Sequence, residues 1–87
     1  MEIADALHLA KELRDENAPD WRVKLFRSKH RAGYASYNSK IIGLSIDFIL
    51  ILPEAEVRNI ILHELGHTIV GPKHKHDLEY LGYLYLV

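Results

Sequence analysis

From Ile3 onward the apolar positions recur at helical spacing: Ile3, Leu7, Ala10 and Leu13 share one side, while Lys11, Glu12, Arg14, Asp15 and Glu16 solvate the other. The pattern predicts a helix from residue 2 to about 17, stopped by Asn17, Pro19 and Asp20. At Trp21 the period changes to two. Trp21, Val23 and Leu25 alternate with Arg22 and Lys24, as a half-buried strand requires. Arg31 to Gly33 then reads as a turn, Tyr34 to Tyr37 as a second strand, Asn38 and Ser39 as a tight turn, and Lys40 to Ser45 as a third strand. Taken in order, these segments predict a small three-stranded antiparallel meander.

Asp47 to Leu52 is an apolar run too short to show a period, and it reads equally as strand or loop. Pro53, Glu54 and Glu56 form a helix start, because proline is tolerated in the first turn and carboxylates suit the positive end of the helix dipole. This helix should run to Val70, where Gly71 and Pro72 end it. On its wheel Val57, Ile61, Leu65 and Ile69 gather on one side, with His63 and His67 almost opposite. Lys73 to His76 follow as a polar loop. Asp77 to Val87 suit either a short helix capped by Asp77 or a strand. The expected fold class is α+β: a helix, a three-stranded sheet, a long helix and a short C-terminal segment, in one domain over residues 1–87.

Composition narrows the function. The chain has 87 residues, 48% of them hydrophobic and 26% charged, with a net charge of −1, so it is an ordinary globular domain and no polycation. It has no cysteine, which removes disulfides, thiolate metal sites and cysteine nucleophiles. The run Phe48 to Leu52 is far below the roughly 20 apolar residues a membrane helix needs. Glu2 and Asp5 stand where a secretory signal would carry positive charge, so the chain is expected to be intracellular and cytoplasmic.

Four of the six histidines, His63, His67, His74 and His76, lie close together near the C-terminus. His63, Glu64 and His67 form HELGH, an HExxH motif inside the second predicted helix. Residues i and i+4 lie one turn apart on the same face, so two imidazoles can converge on one ion. Zinc prefers four ligands in a tetrahedron, and a catalytic site leaves one position to water. Glu64, beside the first histidine, can take a proton from that water and hand it to a leaving amine. His74 and His76, with Asp77 and Glu79 behind them, are the candidates for a third ligand. The metzincin spacing would place glycine at Val70 and histidine at Lys73, so it does not apply.

The stretch HELGHTIVGPKHKHDLEY resembles the SprT-like (Spartan-related) zinc metalloprotease family, in particular its short phage and prokaryotic members. The similarity extends upstream through the basic Trp21 to Arg31 segment, Ala32-Gly33-Tyr34 and Ile42-Gly43-Leu44-Ser45. In that family the third ligand is a histidine followed four residues later by an aromatic. The resemblance thus implies His76, which has Tyr80 there, with His74 as the alternative. It also implies a zinc-dependent endopeptidase acting on a protein or peptide substrate.

Arg22, Lys24, Arg27, Lys29, Arg31 and Lys40 lie between Trp21 and Ile46 with no acidic residue among them. A basic sheet edge of this kind suits weak DNA contact and proteins bound to DNA, or else these are solvent-facing residues that discourage edge pairing. The outer strand, around Ile41 to Ile46, is expected to pair with an extended substrate. Trp21, Tyr34 and Tyr37 read as packing residues, as do Tyr83 and Tyr85, while His8 and His30 read as unrelated to the metal. The alternatives from other classes are a non-catalytic module in which zinc supplies folding energy, and a self-inhibited or truncated metalloprotease-like chain.

Overall fold

The computed structural model describes residues 1–71. Its elements are α1 (Ile3–Asn17), β1 (Arg22–Phe26), β2 (Gly33–Ser36), β3 (Ile41–Ser45), α2 (Ile46–Ile51) and α3 (Glu54–Val70). The α+β class and the order of its main elements follow the hydrophobic pattern. Expectations for Lys73 to Val87 fall outside the described residues.

Helix α1 buries Ala6 and Ala10, with Ile3, Leu9 and Leu13 partly covered beside them. Its contact stripe is therefore centred on two small residues, which bring the helix axis close to the core. The chain leaves α1 through Ala18, whose N–H donates to Arg14 O at 2.7 Å, and Trp21 N–H donates to Ala18 O at 3.0 Å. Trp21 is buried and meets Tyr37 edge to face, with ring centroids 5.7 Å apart. Ile42 and Leu44 of β3, Val57, Ile61 and Leu65 of α3, and Ile49 of α2 complete the core. The expected apolar stripe on α3 holds through Leu65, whereas Ile69 remains 41% exposed.

The sheet departs from the expected meander. Its order is β1-β3-β2, with β1 parallel to β3 and β2 antiparallel to it. The physical reason is the composition of β3. Ile41-Ile42-Gly43-Leu44-Ser45 is buried almost throughout, and a run without polar alternation stabilises a strand only when both its edges and both its faces are covered. β1 exposes Arg22 and Lys24 in alternation and suits an edge. The central place of β3 also removes the expected role of Ile41 to Ile46 as a substrate-pairing outer strand, because both its edges are already used.

The second departure is α2. The run read as strand or loop is a short helix, started by Ser45, whose Oγ accepts from Phe48 N–H, and stopped before Pro53. A strand leading straight into a helix leaves no intervening turn to signal the change.

The segment from β1 to β2 passes the end of β3 and is strapped there by Asp47. Its carboxylate accepts from Arg27 Nη2 at 2.8 Å, Arg27 Nε at 3.1 Å and Ser28 N–H at 3.0 Å. Arg27 in turn holds the Asp47 carboxyl below its ordinary range. Ser45 Oγ donates to Ser28 O at 2.8 Å, and Ser45 N–H donates to Ala32 O at 2.8 Å. This strap fixes where β2 begins.

Tyr34 on β2 lies opposite Gly43 on β3, and its ring fills the space a side chain at Gly43 would take. A Cβ there would stand 1.9 Å from Tyr34 Cε2. Gly43→Ala should therefore expel the ring and destabilise the fold by about 1–3 kcal/mol, read as a lowered urea midpoint. An unchanged midpoint would contradict this packing.

Candidate metal centre and cleft

Helix α3 carries the three motif residues on its last two turns. His63 and His67 are half-buried, with ring centroids 5.0 Å apart and planes at 81°. One ligand atom from each of His63, Glu64 and His67 lies within 4.8 Å of the others. Two imidazole nitrogens at this separation fit a single divalent cation of borderline softness, such as zinc, and no described residue supplies a thiolate.

Glu64 is distinct from the histidines in its surroundings. It is only 7% exposed, and its Oε2 and Cγ lie 3.0 and 3.1 Å from where a Cβ on Gly33 would be. The first residue of β2 must lack a side chain for the carboxylate to lie over the strand. Burial raises the Glu64 pKa from its ordinary 4.5 to about 7, against the opposing charge of Arg31. Partial burial of its own ring, and then the negative charge of Glu64, raise the pKa of Tyr37.

Two adjoining cavities flank this carboxylate between β2 and α3. One, of about 460 Å³, extends toward His30 and Glu56; the other, of about 330 Å³, extends toward Tyr37 and His67. They share Arg31, Gly33, His63 and Glu64. β2 and α3 thus form the two walls of one cleft with the motif at its waist. His30, read from the sequence as unrelated, and Tyr37, read as packing alone, both line it. Alternation along a strand separates its faces but does not say which helix covers one of them, so the sequence held no direct signal for either.

All six basic residues are exposed; Arg27 is paired with Asp47, Lys40 with Asp20 at 2.7 Å, and Arg31 lines the cleft. His74, His76, Asp77, Glu79, Tyr80, Tyr83 and Tyr85 lie outside the described residues. Among the described residues no helix is long and apolar enough to cross a membrane.

The architecture has counterparts among solved structures. The metallopeptidase zymogen abylysin of Pyrococcus abyssi aligns with 99% of this chain and 79% of its own, at a TM-score of 0.73 and 24% identity. The metallopeptidase zymogen jannalysin of Methanocaldococcus jannaschii aligns with 99% of this chain and 81% of its own, at a TM-score of 0.73 and 20% identity. At those identities the likeness is one of fold. The SprT-like family model matches residues 3–83. No curated protein matches the chain significantly.

The raised Glu64 pKa has a consequence for stability. A carboxyl whose folded pKa exceeds its unfolded value holds its proton more tightly in the fold, so the penalty for ionising it grows above pH 4.5 and is complete above about pH 7. The full shift corresponds to about 3 kcal/mol as an upper bound. In the presence of chelator, wild type should lose stability relative to Glu64→Gln between pH 4.5 and 7, measured by urea unfolding at each pH. A difference independent of pH would contradict the burial of an ionisable group at this place.

Proposed function

The chain belongs to the SprT-like family, and from that membership we propose that it is a zinc-dependent endopeptidase. The observation that carries the reading is the convergence of His63, Glu64 and His67 at the waist of an open cleft. His63 and His67 hold the ion. His76 is the proposed third ligand, with His74 as its alternative, on the motif match of His76 with Tyr80.

Zinc bound there supplies Lewis acidity toward the scissile carbonyl and lowers the pKa of a coordinated water. Glu64 acts as general base and then general acid: its carboxylate accepts the proton of the attacking water and delivers it to the departing nitrogen. Its ligand-atom distance to both imidazoles supports that exchange, because a general base must lie within reach of the proton it takes. Gly33 keeps the carboxylate in reach by leaving room above the strand.

The substrate is a polypeptide in extended form. Among the described residues β2 is paired on one side only, by β3, and its Gly33, Tyr34 and Ala35 line the cleft. An added strand there would run its backbone past Glu64 and seat alternate side chains in the two cavities. Exposed Arg22, Lys24 and Lys29 support weak contact with a phosphate backbone, which would bring proteins bound to DNA within reach.

Glu64→Gln should retain stoichiometric zinc by atomic absorption and lose peptide cleavage by about a hundredfold or more. Undiminished cleavage would remove Glu64 from this role, and a zinc-loaded wild type that cleaves no peptide would favour the non-catalytic module. His76→Ala should weaken zinc binding, and an unchanged affinity would pass the third place to His74. Gly33→Ala should lower kcat more than zinc affinity, since the added methyl displaces the carboxylate and not the imidazoles. Equal kcat in that variant would contradict the placement of Glu64.

A further inference from the structure

Of the four residues shared by both halves of the cleft, His63, Glu64 and Gly33 have duties in the proposed reaction, and Arg31 has none. Its main chain is anchored: Arg31 N–H donates to Ser28 Oγ at 3.0 Å, and Ser28 is itself held by Asp47 and Ser45. Its guanidinium carbon stands over the Tyr34 ring, 5.3 Å from the centroid, a cation–π contact that orients the cation. Arg14, Arg27 and Lys40 each have a carboxylate partner, whereas among the described residues Arg31 forms no ion pair. A cation beside the reacting centre, oriented by an aromatic ring and acting on Glu64 through its charge without an ion pair among the described residues, has the features of a substrate-reading group.

The cleft also limits the charge that fits. Glu56 faces the larger cavity from α3, and Glu64 lies between the two. A doubly charged phosphate would be repelled by both, while a single carboxylate matches the forked geometry of one guanidinium. Resting on the peptidase reading above, we propose that Arg31 is a specificity-determining residue that binds a substrate carboxylate next to the scissile bond. The carboxylate belongs either to an Asp or Glu side chain or to a nearby C-terminus.

The test uses zinc-loaded full-length protein and peptides that differ only in charge. One pair has both termini blocked and Glu or Gln beside the cleaved bond; the other carries Gln with a free or amidated C-terminus close to it. Wild type should favour one acidic member by about tenfold in kcat/KM, and the pair that responds identifies the carboxylate. Arg31→Gln should bring that ratio to about one, Arg31→Lys should restore part of it, and Arg31→Glu should shift preference to a Lys peptide. A ratio, unlike an absolute rate, cancels any general effect of Arg31 on Glu64. Binding of the same peptides to Glu64→Gln, followed by fluorescence anisotropy, separates the two readings. Acidic preference in binding without any cleavage by wild type would sink the peptidase reading while upholding carboxylate binding by Arg31. Equal treatment of both pairs, no binding of any peptide, or a preference that survives Arg31→Gln would overturn it.

Discussion

Helix α3 must satisfy two environments within 17 residues, and the rest of the structure is arranged around that constraint. Val57, Ile61 and Leu65 are all but fully buried, while His63 and His67, one turn apart, face the cleft. Glu64 lies between these zones. It is a carboxylate at the border of the core, and taking it out of water is costly unless a cation or a proton compensates. The helix is held in this orientation by core contacts from α1 and the sheet, so the chemistry of the front depends on the packing of the back.

The opposite wall depends on a few polar contacts at the surface. Asp47 binds Arg27 and Ser28, and Ser45 binds Ser28 and Ala32, which together set the point where β2 begins. From that point Gly33 lies under Glu64, Tyr34 covers Gly43, and Tyr37 reaches both Trp21 and the cleft. Two glycines on paired strands thus serve opposite faces, one admitting a carboxylate and the other an aromatic ring. The chain belongs to the SprT-like family and shares its fold with two metallopeptidase zymogens.

Helix α3 was the most legible element in the sequence, because Pro53, two early glutamates, an apolar stripe and Gly71 mark it independently of the HELGH motif. The strands were legible as strands, but their order was not. Hairpin logic placed β1 beside β2, whereas the unbroken burial of Ile42 to Ser45 puts β3 between them. That run carried the needed signal, since an edge strand would have alternated. Helix α2 was hidden because it follows β3 without a break. In the site, His63, Glu64 and His67 were legible from spacing. Arg31, Gly33 and Tyr37 were not, since their place beside Glu64 arises only when β2 is laid against α3. Their neighbours in sequence bear no mark of it.

The central claim is that two imidazoles on one helix hold a divalent cation that leaves a place for water beside a buried carboxylate. Zinc K-edge X-ray absorption on the loaded protein tests it most directly. The account predicts a four-coordinate ion with imidazole nitrogens at about 2.0–2.1 Å and one oxygen from water. A spectrum without imidazole scattering, or a closed shell of protein ligands, would contradict it.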